Sequence, residues 1–303
     1  MISNAEFFGE LMRLSGDLST VTDNKSVTFV NHPAAFDIET SSFYYNEQKA
    51  AVMYEWSFGL GIKKGEEFKE LVTYGRNWES FITLTTALSV FFNLNPTNRR
   101  LVVYVHNLPY EWQWIRKRFS WAKVFFLDTR KPVYAITTNG IEFRCSLKLS
   151  GKSLANTAKD LVKYKTEKMV GDLDYSLVRF EETPLSEKEL GYCEHDILVL
   201  LSYIQEKIES DGDITRIPLT KTGYVRRYCR NAMFQDEQEE KRKGVLEIQN
   251  AYEELDLDAR GVYPTERMLR RRIYPCEHSE NGYDATESWF IRLYEFLSGS
   301  NGF

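Results

Sequence analysis

The sequence contains no stretch of about 18 apolar, uncharged residues, the least that a membrane-crossing helix requires. Its nearest candidate, residues 81–94, carries Thr83, Thr85, Thr86, Ser89 and Asn93 and reads as an amphipathic helix, so no membrane partner is expected. The N-terminus lacks the basic start and apolar run of a secretory signal and offers Glu6, Glu10 and Asp17 instead, which makes the cytoplasm the expected localisation. C-x-x-C pairs are missing as well. The four cysteines, Cys145, Cys193, Cys229 and Cys276, lie far apart, which excludes the usual zinc and thiol-redox spacings and leaves reduced, packed thiols. Nor is there a basic excess: 39 Lys and Arg against 44 Asp and Glu give a net charge of −5. That argues against a protein that coats nucleic acid, but not against an enzyme that gathers acidic side chains around metal ions and keeps basic ones along a groove. Internal repeats and low-complexity tracts are absent.

What the chain does have is the makings of a core. Apolar residues make up 43% and charged residues 27%, enough to exclude overall disorder. Its 303 residues suit two domains, or one large α/β unit with a helical appendage. Residues 1–24 show no clear period and read as a leader. Strand-like runs are expected at 27–30, 35–40, 51–58, 68–74 and 101–106, and helices at 78–92 and 110–119. A hairpin over 133–138 and 141–147 is expected to turn on Asn139-Gly140, a pair suited to a two-residue turn with positive φ. Ser186 and Glu189 form a capping box ahead of a long helix whose stripe holds Leu190, Cys193, Ile197, Leu200, Leu201, Ile204 and Ile208. Another helix is expected at 224–234, then a charged, glutamine-rich boundary at 235–243 and a mostly helical tail at 244–303.

Three acidic features interrupt this apolar pattern. Asp37 and Glu39, two apart in a strand, project from one face; the plain alternative is a solvated edge. Asp196 falls inside the apolar stripe of the long helix, with Tyr192 one turn before it on the same face. A buried carboxylate there is costly unless paired or bound to metal, and no Lys or Arg occupies the neighbouring turns. Glu111 closes His106-Asn107-Leu108-Pro109-Tyr110-Glu111, where a strand gives way to a helix; alone it would pass for a charge favoured by the helix dipole. Together these carboxylates make the set that two divalent cations roughly 3.5–4 Å apart need for in-line attack at phosphorus.

In this order, Phe36-Asp37-Ile38-Glu39-Thr40, His106 to Glu111 and Tyr192-Cys193-Glu194-His195-Asp196 resemble the three exonuclease motifs of the proofreading domain of protein-primed family B DNA polymerases of phages and linear plasmids. Lys152-Ser153-Leu154 and the run from Lys168 to Tyr175 are similar to that family's DNA-binding and lysine motifs. The resemblance spans roughly residues 27–232. It implies an RNase H-like α/β fold with a mixed sheet flanked by helices, an exonuclease domain over 25–234, and a tyrosine-subclass 3′→5′ exonuclease with two Mg²⁺ or Mn²⁺ ions. It further implies that Asp37, Glu39, Glu111 and Asp196 hold the metals and that Tyr192 orients the attacking water. Thr40, His106, Asn107, Tyr110, Ser153, Leu154, Lys168 and Tyr175 would meet the single-stranded DNA 3′ end, with Lys165 or Lys163 as alternatives for the motif lysine. A separate polymerase polypeptide and a terminal (priming) protein are the further partners it implies. His195 is set apart, because histidine-dependent relatives place their base at the position of Gly191.

The sequence departs from the family in two ways. The second motif usually ends in Asp, and here Glu111 is longer by about one C–C bond, ~1.5 Å. The polymerase motifs are missing, with only a faint echo of one at 258–264, and Ser298–Phe303 resembles the approach to the family's linker. Arg267, Arg270, Arg271 and Arg272 in the tail could neutralise phosphates or form a solvated helix face. A ribonuclease of the same fold and a catalytically weakened single-strand-binding or polymerase-docking module remain open.

Overall fold

The computed structural model describes residues 1–166 and 177–229. The chain divides into two units, Met1–Gly223 and Tyr224–Phe303; in the second, residues 224–229 are described and are helical. Lys168, Tyr175, the 235–243 boundary and the tail lie outside the described residues.

In the first unit the elements are α1 (Asn4–Arg13), β1 (Thr20–Thr22), β2 (Thr28–Val30), β3 (Ala34–Tyr45), β4 (Gln48–Lys64), β5 (Glu67–Gly75), α2 (Trp78–Phe91), β6 (Arg99–Val105), α3 (Leu108–Ile115), β7 (Trp121–Asp128), β8 (Lys131–Thr137), β9 (Ile141–Cys145), α4 (Ser146–Ser150), α5 (Leu154–Lys159) and α6 (Glu187–Asp211). The nine strands form one mixed sheet, ordered β5-β4-β3-β6-β9-β8-β7, with β2 also beside β6 and β1 beside β2. β3 and β9 run parallel to β6, whereas β4, β5, β7 and β8 enter through antiparallel pairs. This is the mixed, helix-flanked α/β class expected from the sequence.

Alternation along β3 sorts its residues between two cores. Phe36 and Ile38 face a large cluster fed by α1, α2 and α3, where Phe36 stacks on Phe81 at 4.2 Å between centroids. Ala35 faces the other way, into a smaller cluster built on Ile197, Leu200 and Leu201 of α6. Asp37 and Glu39 share the face of Ala35 and lie beneath α6. The close approach of α6 depends on Gly59 in β4: a Cβ there would stand 2.4 Å from Ile197 Cγ2 and 2.9 Å from Leu201 Cδ1. Both capping-box residues of α6 bond as the sequence predicts, Ser186 with Glu189.

Local details differ from the sequence expectation. Residues 4–13, within the segment read as a leader, form α1, capped by Ser3 and Glu6, with Phe7 and Leu11 fully buried in the large core. Two apolar anchors in ten residues are too few to register as a period, yet they suffice to dock a capped helix. β8 and β9 are joined by three residues rather than two, and of these only Gly140 has positive φ, +85°. Thr137 explains the longer loop, because its hydroxyl bonds Asn139 and the Ile141 carbonyl and the Thr137 carbonyl accepts from Gly140. α3 ends at Ile115, short of the expected 119.

Substituting Gly59 tests the fit of α6 on the sheet. Gly59→Ala is expected to lower the unfolding free energy by about 1–3 kcal/mol, as overpacking does, measured by urea denaturation.

Candidate functional site

β3, β4, α3 and α6 carry the site. In register, Asp37 lies opposite Ser57 and Glu39 opposite Glu55, so all four side chains share one face of the β3–β4 ribbon. A bulge follows at once: Thr40 pairs with Met53, leaving Tyr54 as the extra residue of β4. β6 delivers the second motif. His106 follows its last residue, its Nδ1 lies 3.1 Å from the Ser146 hydroxyl, and Asn107 takes a left-handed conformation (φ 75°) that turns the chain into α3. That turn places Glu111 in the first helical turn, where it is 3% exposed. It is therefore not a solvated helix-start charge. Asp196, 5% exposed, reaches the same region from α6.

Electrostatics show how closely these groups gather. The Glu111 carboxyl is pushed well up, first by burial and then by the charge of Asp37, with a hydrogen bond to Asp37 and the charge of Glu39 adding to the effect. The buried Cys193 thiol is pushed up by desolvation and by the charges of Glu55, Glu39, Asp37 and Asp196. One thiol thus senses carboxylates from β3, β4 and α6. Oε2 of Glu111 is buried and has no hydrogen-bond partner, an orphaned oxygen of the kind a cation would satisfy.

A metal fits the donor set, which is all carboxylate oxygen and so suits hard divalent cations. Yet among the described residues no three His, Cys, Asp or Glu side chains stand close enough together to enclose an ion. The electrostatic coupling shows convergence; the missing three-ligand cage means that side-chain rotation must bring the oxygens into ligating distance.

The other sequence-predicted residues are placed as follows. The hydroxyls of Thr40 and Tyr110 meet at 2.5 Å, joining β3 to α3, and the Tyr110 ring is 44% exposed. Tyr192 is half-buried on α6. Ser153 caps α5, accepting from the Asn156 amide, and Leu154 is buried against α6. Lys163 is bound to Glu209 at 3.0 Å. His195 is turned onto its own helix, with Nδ1 2.7 Å from the Gly191 carbonyl. The largest cavity described, about 650 Å³, lies elsewhere, between α1 and β5, and is lined by Lys69, Glu70 and Glu194 among others.

Two residues beside the site were not singled out from the sequence. Glu55 is 1% exposed in the run 51–58, which reads as a strand of aromatic and aliphatic residues; its charge among Tyr54 and Trp56 was the available signal. Arg179 is buried, donates to Glu189 at 2.6 Å, and its amide donates to the Ser41 hydroxyl on β3. Nothing in its sequence neighbourhood marks it.

Burial of like charges predicts a pH dependence. Glu55, raised to about 8 chiefly by burial, and Glu70, raised to about 7 by burial, hold protons in the fold well above the ordinary 4.5, as Glu111 does. From 4.5 to those values the folded state binds more protons than the unfolded chain, so stability is lost as pH rises. Buried His32, pulled down to about 4 by desolvation, acts oppositely but only below its ordinary 6.5. Metal-free protein should therefore be less stable at pH 8 than at pH 6.5. Glu111→Gln should flatten that slope and gain on the order of 1–3 kcal/mol at pH 8, read from denaturant melts in EDTA.

No protein-family model matches the chain, and no curated protein matches it. Two solved structures are similar in trace. Phi29 DNA polymerase complexed with single-stranded DNA aligns with a TM-score of 0.43 and 18% identity, over 59% of this chain and 32% of that one. Phi29 DNA polymerase complexed with primer-template DNA and incoming nucleotide substrates aligns with a TM-score of 0.43 and 16% identity, over 59% and 31%. The chain spans about a third of the length of these polymerases. At this distance the likeness concerns the chain trace and not the chemistry of the site.

Proposed function

We propose that the chain is a 3′→5′ exonuclease that hydrolyses single-stranded DNA ends to nucleoside 5′-monophosphates with two Mg²⁺ or Mn²⁺ ions. The observation that carries this reading is the convergence of Asp37, Glu39, Glu111 and Asp196 from a central strand and two helices, with a buried Glu111 oxygen left without a hydrogen bond. Nothing in a folding core calls for so many carboxylates of one sign.

Asp37, Glu39, Asp196 and Glu111 would hold the two cations, which when bound supply Lewis-acid stabilisation of the charge that develops at phosphorus and at the departing oxygen. Tyr192, one turn before Asp196, orients the water whose oxygen attacks phosphorus as the bond to the 3′ oxygen of the preceding nucleotide breaks. Thr40 and Tyr110, tied by their hydroxyls, border the site where the terminal nucleotide must lie. The half-exposed Tyr110 ring offers a face on which an unpaired base can stack. His106 and Asn107, at the turn into α3, and Ser153 beyond it complete the surface assigned to the strand. A polymerase polypeptide that would use this activity, and a priming protein, are the partners this reading carries with it.

A second reading has its own support. Glu111 in place of the family's Asp, together with the lack of a preformed three-ligand cage, suits a module that clamps a 3′ end without cutting it.

A 5′-labelled single strand with Mg²⁺ or Mn²⁺ separates the two, with an RNA strand run in parallel to test the ribonuclease alternative. The wild type is expected to shorten the DNA strand stepwise from its 3′ end, and Asp37→Ala and Asp196→Ala to reduce this to background while folding normally by circular dichroism. Normal metal-dependent turnover in either variant would refute the assignment, and wild-type binding without turnover would leave the clamp. Glu111→Ala is expected to lose two to three decades, about 3–4 kcal/mol of barrier, while Glu111→Asp retains substantial activity. Tyr110→Ala should weaken single-strand binding by roughly 1–3 kcal/mol, read as a raised KM.

A further inference from the structure

Glu55 stands outside the carboxylates that the motif resemblance assigns, yet it meets every condition placed on them. It is the cross-strand partner of Glu39 and points to the same face of the sheet. It is 1% exposed, more deeply buried than Glu111 or Asp196. One of its oxygens is satisfied, by the Ser57 hydroxyl at 2.5 Å. The other, Oε2, is buried with no hydrogen-bond partner. It feels the charge of Asp37, and Cys193 senses it together with Glu39, Asp37 and Asp196.

Structural needs do not account for it. The nearby cation is Arg76, whose charge acts on Glu55, but its Nε donates to the Tyr54 carbonyl and one terminal nitrogen to the carbonyls of Phe180 and Thr183. Its recorded donors are thus spent on backbone, where they fasten residues 180–183 to the β4 edge. A buried carboxylate oxygen lacking a donor is costly, and the groups on its open side are further carboxylates. What satisfies an acceptor among acceptors is a cation.

We propose that Glu55 contributes a fifth carboxylate to the metal centre, its Oε2 serving as a ligand oxygen for a divalent cation held jointly with Glu39 and Asp37. This rests on the metal-dependent reading above. The β4 bulge supports it: by absorbing Tyr54 as an extra residue, it lets Glu55 face the site while Met53, only two positions away, packs in the opposite core. The sheet departs from regular pairing at the point where Glu55 joins the acidic face.

The test is Mn²⁺ binding by the full chain without DNA, followed by the electron paramagnetic resonance signal of free Mn²⁺ at pH 7.5. Thermal melting in EDTA supplies the control for folding. Glu55→Gln is expected to weaken Mn²⁺ binding by tenfold or more while melting in EDTA at or above the wild-type temperature, because a like charge has been removed. Glu55→Asp should weaken binding less, and it decides the matter if Glu55→Gln does not fold. Asp37→Asn serves as reference for the site. Loss of binding in Asp37→Asn with wild-type affinity in the folded Glu55 variants would overturn this inference alone. Absence of Mn²⁺ binding by the wild type, or wild-type affinity in Asp37→Asn, would overturn the metal-dependent reading and this inference with it.

Discussion

Like charges forced together in a dry place govern this fold. Asp37, Glu39 and Glu55 share one face of a two-stranded ribbon, and Glu111 and Asp196 are brought to it by helices. Each carboxylate raises the cost of ionising its neighbours, and burial raises it again. The surrounding architecture has to hold them against that repulsion. It does so through apolar contact at a remove: α6 is clamped by Ile197 and Leu201 over Gly59, and β3 by the stacking of Phe36 on Phe81 on the far side of the sheet. The two cores act as jaws, and the acidic face lies in one of them.

This division explains why so few residues of the site bear weight. Tyr110 and Thr40 meet through hydroxyls at the rim, and His106 rests on the Ser146 hydroxyl at the end of β6. Arg179 and Arg76 tie the chain just ahead of α6 to β3, β4 and their neighbours, so that the helix carrying Asp196 is approached by a fixed path. Loops and rim positions are free to meet a ligand because packing elsewhere keeps the carboxylates in place.

Much of this was legible in the sequence, and for a single reason: a charge that breaks a strong apolar period is visible. Asp196 interrupts a stripe of seven apolar positions, and Asp37 and Glu39 interrupt a strand. The capping box at Ser186 fixed the phase of α6, so Tyr192 and Asp196 could be put on one face. Glu55 broke the pattern of β4 in the same way but was lost among aromatic neighbours, since its importance depends on which strand lies opposite, and register is a tertiary property. Burial of Glu111 was equally beyond reach, because a helix-start glutamate looks the same whether solvated or enclosed. α1 escaped notice because two anchors and a cap carry no period. At Asn139-Gly140 local turn chemistry was outvoted by the hydroxyl of Thr137.

The bulge at Tyr54 has a use beyond aiming Glu55. It splits the β3–β4 hairpin into two separately registered lengths: an inner one from Ala34 to Glu39 that holds the acidic face, and an outer one from Thr40 to Tyr45 paired with Gln48 to Met53. The outer length ends in a two-residue turn, Asn46 and Glu47, both at positive φ and both exposed. Changes at that tip are insulated from the inner register, so the hairpin forms a natural socket. A fluorophore, an affinity handle or a grafted recognition loop could be seated at Asn46-Glu47 and carried rigidly beside the site while the inner pairing keeps its phase.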